Sequence, residues 1–578
     1  MSVPPETGEM DALARRVAVA RGDEPADLVL TGGRVLSVFT GELLDADVAI
    51  SGERIAGIGS YRGREVFDAT GLILLPGFID GHMHLESTKL MVDRFAGAVL
   101  RWGTTTAVID PHEVANVFGL KGVSALLACA AGVPFDFEVM VPSCVPASAF
   151  ESNGATVDAA DIARFLAQEP NAIGVAEMMA YPSVVAGDEA TLAKILAAGG
   201  RRVDGHAPGL TGSGLNAYLA AGVASDHECT TYEEALEKRR LGMWIMIRQG
   251  SAARNLEALL PLVLRYGPQN CLLCTDDREP DELLDEGHIN AVLREAVTLG
   301  CPPEQAVVMG TLNAATYHRL EGKGALAPGY VADIVAVPDL VSFAPTSVWK
   351  RGRQVVADGV TLPIPAVEAP GWMRGSIRLD PVTGEDFAVS GNGRIRVIGV
   401  HAGQLTTTAL AADAATSDGR ATADVSRDLA KVAVLERHRR TGRIGRGFVS
   451  GFGLRRGALA SSHAHDAHNV IVVGVDDADM AVAVNRLTEI GGGQVAAAGG
   501  EILAEVPCPI GGLLSDRPAG DVAAQVRRMH EVSAALGCTL PAPYMTMSFL
   551  ALSVIPELRI TDLGLVDTNR FEVVPLAL

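Results

Sequence analysis

Long apolar runs are missing from this sequence of 578 residues. No stretch reaches the roughly eighteen uninterrupted apolar residues that a membrane-spanning helix needs. The opening MSVPPETGEMDALARR lacks the basic start, apolar centre and small-residue cleavage site of a secretory signal, so a cytoplasmic protein with no membrane partner is expected. Basic charge is scarce as well. There are 48 Lys and Arg against 69 Asp and Glu, a net charge of −21, and no Lys- or Arg-rich run offers a footprint for nucleic acid. Cysteines number only eight, scattered along the chain, which excludes a disulfide framework. Cys271 and Cys274 have CxxC spacing, but no second such pair completes a zinc site, and ordinary buried thiols are expected. Aromatic residues make up 5 % of the chain while 48 % is apolar, a balance that fits a globular α/β protein with large cores.

The pattern of short apolar runs divides the chain. Residues 27–60 alternate β-branched runs with Gly, Asp and Ser, as a small antiparallel sheet would. From about 72 to 322 the rhythm changes to apolar runs followed by helical stretches: LILLPGFID, TTAVIDPHE, FDFEVMVPSC, AIGVAEMM, RRVDGHAP, GVASDHEC, MWIMIRQGS and NCLLCTDDR. Eight strands alternating with helices predict a closed parallel (β/α)8 barrel of the TIM type. Residues 323–365 return to short strands, which could complete the sheet begun in residues 1–71. LPIPAVEAPGW then reads as a linker. Residues 366–578 mix strands with helices and read as a separate C-terminal α/β domain, in which TTTALAADAATSDGRATA is expected to be surface loop.

In such a barrel the reactive groups sit where the strands end. The eight runs end with His82 and His84, His112 and Glu113, Cys144, Glu177, His206, His227 and Glu228, Gln249, and Asp276 and Asp277. Strand alternation turns His82 and His84 to one face, and Asp80 with them. A lone histidine here would be a core residue. Histidines on three strand ends, with carboxylates on two others, predict a metal centre instead. Six ligands exceed one tetrahedral site and divide into two: His82, His84 and Asp276 on one divalent cation, His206 and His227 on the other, with Glu177 bridging. Two such cations acidify water held between them, and Asp276 would accept and return its proton, which is the chemistry of metal-assisted hydrolysis.

GHMHLESTKL, GTTTAVIDPHEVANVFG, GVAEMM, DGHAPGLTGSGLNAYLAAG, SDHECT, CTDDR and AHDAHNVIVVG are similar to the bacterial adenine deaminases of the amidohydrolase superfamily. The resemblance implies a barrel flanked by a small β-sandwich built from both sides of the barrel sequence, with a C-terminal domain of the same type. It also implies hydrolysis of adenine to hypoxanthine and ammonia in purine salvage. Glu177 stands where other superfamily branches bridge their metals with a carboxylated lysine. The resemblance implies Mn2+ or Fe2+, whereas the imidazole and carboxylate donors also suit Zn2+. A homo-oligomer, by default a dimer, is expected of such an enzyme.

Attack at C6 of a purine is eased by a hydrogen bond or proton at N1. Candidates for base binding are Glu86, Ser87, Glu113, Glu228, Asp277 and His465, and Glu86 and His112 are also candidates for proton transfer. The bland alternative for each is support of a ligand imidazole from behind. Arg248 and Gln249 could read a base edge or close the barrel mouth with an ion pair. SSHAHDAHN, with His463, His465, Asp466 and His468, could line the pocket, hold a third metal or be a polar loop. Met545, Met547 and Phe549 read as core. The Gly-rich loop after His206 lacks the arrangement of a phosphate loop. Two other functions remain open: an amidohydrolase acting on a cyclic amide or N-acyl group, and a non-catalytic metal-binding scaffold.

Overall fold

Each of the eight expected runs forms a strand at the centre of the molecule. The computed structural model describes residues 7–391 and 393–578. The strands are Phe78–Met83, Thr104–Ile109, Asp136–Val141, Ala172–Met178, Arg202–Gly205, Ser225–Asp226, Trp244–Arg248 and Cys271–Cys274. The first five pair in parallel, as do the last three. Two seams close the circle. Ala224 N donates to Val203 O at 3.0 Å between the fifth and sixth strands. Beyond the eighth, Asp276 N donates to His82 O at 3.0 Å and His84 N to Asp276 O at 3.1 Å. Ile79, Val108, Met140, Ala176, Met246 and Leu272 pack as one buried cluster, separate from the larger core between strands and helices. Consecutive residues alternate between the two cores, which is why these strands read as unbroken apolar runs.

The helices follow the same logic. Leu256–Tyr266 packs Leu259, Leu260 and Val263 inward and ends at Gly267, whose φ of +76° is the left-handed backbone that glycine tolerates.

One difference from the sequence reading concerns a chain boundary. LILLPGFID is two strands rather than one. Ile73–Pro76 lies in the flanking seven-stranded sheet, antiparallel to Ile334–Val337, and the barrel starts at Phe78 instead of 72. The Pro76-Gly77 break is the physical cause, because it ends one strand and lets the chain turn into the next. Residues before and after the barrel do share that sheet, which packs Val35, Leu74, Ile334 and Trp349 against Leu30, Val48 and Ile55 of a four-stranded sheet. A helix that periodicity did not suggest, Thr7–Arg21, covers the second sheet, where Arg15 Nη1 donates to Asp27 at 2.8 Å.

Past residues 362–370, which carry no regular structure, an eight-stranded sheet runs from Thr408–Asp413 at one edge to Glu501–Pro507 at the other. Helices Asp477–Glu489 and Ala519–Ala535 accompany it. The stretch expected to be loop instead forms strands Thr408–Asp413, Ala415–Ser417 and Arg420–Thr422. The first is an edge strand with mostly exposed side chains, so its polar, Ala-rich composition reflects solvation rather than disorder. Among the described residues no helix is long and apolar enough to cross a membrane.

Candidate metal centre

The close approach of the first and eighth strands depends on Gly81. A Cβ there would lie 2.3 Å from Leu272 Cδ1 and 3.1 Å from Leu273 O, so only glycine lets the chain on either side of Asp276 pair with His82 and His84. Gly205 serves the fifth strand similarly, its missing Cβ leaving room for Ser225 O at 2.2 Å. The polar strand ends are thereby drawn into one buried cluster at the barrel mouth.

His82 Nε2 lies 3.4 Å and His84 Nε2 3.0 Å from Asp276 Oδ1. The backbone fixes the His84 tautomer: its Nδ1 donates to Asp110 O at 3.0 Å, leaving Nε2 with a lone pair facing the cluster. Glu177 stands between two groups of imidazoles. Its Oε1 is 3.5 Å from His84 Nε2 and 3.4 Å from His112 Nδ1, while Oε2 is 2.7 Å from His206 Nδ1 and 3.2 Å from His227 Nε2. The rings of His82 and His227 stack 4.2 Å apart. All six expected ligands are therefore together, each buried.

The donor atoms fit divalent cations. His82, His84 and Asp276 offer one set of ligand atoms within 4.8 Å of one another, and His82, Glu177 and His227 offer a second. Buried polar atoms here lack hydrogen-bond partners, among them His82 Nε2, 3.4 Å from Asp276 Oδ1, and His112 Nδ1, 3.4 Å from Glu177 Oε1. Buried imidazole nitrogens are normally satisfied, and unsatisfied ones converging on carboxylates are what a cation would complete.

Comparison with known proteins bears on the same residues. Residues 73–355 match the amidohydrolase family, and residues 404–572 match the adenine deaminase C-terminal domain. An adenine deaminase of Desulfatibacillum aliphaticivorans is 48 % identical over 97 % of this chain and 99 % of its own length. That of Cereibacter sphaeroides is 47 % identical over 98 % of this chain and 100 % of its own. One from Dehalococcoides mccartyi is 44 % identical, covering 97 % and 99 %. The chain belongs to the adenine deaminase family.

The domain characteristic of adenine deaminases enters the site directly. His465 and Asp466 reach the barrel mouth, where Asp466 Oδ1 lies 3.4 Å from His112 Nε2. The other two histidines of that tract turn away: His463 Nε2 donates to Leu513 O at 2.9 Å, and His468 Nδ1 accepts from Ala464 N. A third metal held by all three is thus excluded. His465 stacks on Phe549 with centroids 5.0 Å apart, so Phe549, expected to be core alone, also forms a wall of the site.

Expected base contacts divide into two layers. Glu228, Asp277, His465 and His112 line the central cavity. Glu86, Ser87 and Glu113 do not. The helical turn Glu86–Thr88 carries the first two behind the wall, where Glu86 Oε1 accepts from Val114 N at 2.9 Å and Ser87 Oγ donates to Asp277 and Glu113. Burial and the neighbouring Glu113 lift the Glu86 carboxyl to about 8, so it holds a proton without facing the cavity. Asp80 does not join His82 and His84 either. Strand pairing shifts register between Asp80 and Met83, and Asp80 instead accepts from Thr275 N and faces His288 Nε2 at 2.9 Å.

Arg248 takes the ion-pair role. It is fully buried, donates to Asp276 Oδ2 at 2.7 Å and forks onto both oxygens of Glu228. Gln249 points elsewhere, bonding Glu295 at 2.8 Å. Burial opposes ionisation of Asp276, but Arg248 and the two imidazoles outweigh it and hold the carboxyl well below its usual range. Burial likewise disfavours a charged His227, yet Glu177 lifts it to about 9. Asp110 escaped the sequence reading although it ends the second strand. Its Oδ2 is 3.3 Å from His112 Nδ1, and it forms a ligand-like group with His84, His112 and Glu177. The signal was available in VIDPHE, an aspartate two residues before a histidine at a strand end.

Proposed function

We propose that this chain hydrolyses adenine to hypoxanthine and ammonia, a step of purine salvage. One observation carries the reading: six imidazole and carboxylate side chains converge at the barrel mouth of a chain similar to adenine deaminases from end to end. Two divalent cations, Mn2+ or Fe2+, would be held by His82, His84 and Asp276 on one side and His206 and His227 on the other, with Glu177 between. When bound, such a pair makes water acidic enough to attack at neutral pH and polarises the reacting centre.

The side chains supply the remainder. Asp276 directs Oδ1 toward His82 and His84 while Arg248 holds Oδ2. The guanidinium fixes the carboxylate's rotation and keeps it ionised, so it is ready to accept the attacking water's proton and pass it to the departing amino group. Burial disfavours a charged His112, but Asp110 and Asp466 outweigh it and raise its pKa well above the usual value. The protonated ring is therefore a candidate donor to a purine nitrogen as negative charge develops there. Asp277, Glu228 and His465 line the space for the base. Ser87 and Glu113 act through Asp277 and His465 rather than by contact, and Glu86 holds the backbone at Val114.

The test is to load the protein with Mn2+ or Fe2+, supply adenine, and follow ammonia and hypoxanthine. Turnover abolished by a chelator and restored by metal is expected. A protein that binds about two metals per chain and leaves adenine untouched would refute the substrate and redirect the search to cyclic amides and N-acyl compounds.

A further inference from the structure

The cavity at the metal centre measures about 20 Å³, far below the roughly 300–1,000 Å³ of ordinary small-molecule pockets. Its floor and sides are barrel residues. Its roof comes from the C-terminal domain: Leu405, Phe549, Leu552 and Ile555. These four pack together as an apolar layer with Met179 and Met545. A base that enters must therefore lift this roof, and whatever the base carries on its outer side must occupy the roof's place.

The other face of the roof borders a cavity of about 510 Å³. Val554 and Pro556 line that cavity while Ile555 between them lines the metal centre, so one short segment is the partition. The roof has space to move into. Arg559 pins it in place, a fully buried residue that donates to four carbonyls at 2.7–2.8 Å: Leu405, Phe549, Ile555 and Pro556. Among the described residues no carboxylate lies within ion-pair distance of this guanidinium, and its hydrogen bonds bind two chain segments distant in sequence into one lid. Closure excludes bulk water from the reaction, which strengthens every charge interaction inside.

We propose that this Arg559-pinned roof restricts the site to free nucleobases, rejecting nucleosides because a ribose at the mouth keeps Leu405, Leu552 and Ile555 from seating. The proposal rests on the reading of the chain as an adenine deaminase and assigns the residues outside the metal centre that set its selectivity. Arg559 is a positioning residue in this scheme: it touches the roof, and the roof touches the base.

The experiment measures kcat and KM for adenine and adenosine with metal-loaded wild type, Ile555→Ala, Leu405→Ala, Arg559→Lys and Arg559→Met, with bound metal and melting midpoint recorded for each. Wild type should turn over adenine and leave adenosine essentially unchanged. Both alanine variants should raise the adenosine-to-adenine ratio of kcat/KM at least tenfold, with adenine losing mainly in KM. Arg559→Met should do the same, and Arg559→Lys should recover part of the discrimination, which a merely structural loss would not. Alanine variants that bind metal and melt like wild type yet keep its ratio would overturn the roof's role and leave adenine deamination standing. Wild type inactive on adenine would overturn both.

Discussion

Adding one methyl group at Gly81 should damage the metal centre from a distance. The methyl of Gly81→Ala would sit 2.3 Å from Leu272 Cδ1 and 3.1 Å from Leu273 O. Leu272 is fully buried in the inner core against residues such as Ile79 and Met246, so the side chain has no solvent to swing into. The first and eighth strands must separate. Overpacking of this kind costs roughly 1–3 kcal/mol. The same displacement stretches the Asp276 N to His82 O and His84 N to Asp276 O bonds, now 3.0 and 3.1 Å, and moves two imidazoles relative to their shared carboxylate. Misplacement by about 1 Å costs on the order of 100-fold in rate, so adenine turnover should fall between about 10- and 100-fold, with weaker retention of metal on dialysis. Gly97→Ala is the control. It lies in helix Val92–Leu100, and its nearest neighbour would be Ile364 Cδ1 at an ordinary 3.8 Å. There alanine should stabilise by roughly 0.5–1 kcal/mol with turnover unchanged. Unfolding midpoints, metal content and adenine kinetics of both variants decide the matter. A Gly81→Ala protein with wild-type metal content and turnover would refute the claim that this glycine sets the spacing.

The barrel was readable because each strand is buried on both faces and bounded by turn residues, so apolar runs stand out without any periodicity to decipher. The ligands were readable for a related reason: a polar residue at the end of an apolar run has no packing role to explain it. Asp80, Glu86, Ser87 and Glu113 show where that reasoning fails. Alternation assigns a side chain to a face only while strand register holds, and it slips between Asp80 and Met83. The short helical turn after His84 then carries Glu86 and Ser87 behind the wall. Arg248 gave no choice between base contact and ion pair until Glu228 and Asp276 were placed around it. The roof was invisible in sequence. Leu405, Phe549 and Ile555 are ordinary apolar residues, and their meaning comes from the domain packing that brings segments about 150 residues apart against one mouth.

Two other substitutions separate chemistry from folding. Asp276→Asn removes the proton acceptor and one metal oxygen while keeping a side chain of the same shape. Turnover of adenine should drop by several orders of magnitude with circular dichroism unchanged, and an asparagine variant as fast as wild type would end the role assigned to Asp276. Glu151→Gln addresses stability alone. Glu151 is buried where a barrel loop meets the C-terminal domain, accepting from Ala147 N at 3.2 Å and from Ser553 Oγ at 3.5 Å. Burial, aided by Asp466, lifts its carboxyl from 4.5 to about 8. The folded chain therefore keeps a proton that the unfolded chain releases above about pH 4.5, and the wild type loses stability as pH rises from there to about 8. A displacement of that size corresponds to at most roughly 5 kcal/mol. Glutamine cannot ionise, so the variant should match wild type near pH 5 and exceed it progressively toward pH 8.5. Urea midpoints of the two proteins across that range should diverge with rising pH. Parallel profiles would mean that Glu151 ionises freely in the folded chain, and that the junction it occupies is more open to water than its packing indicates.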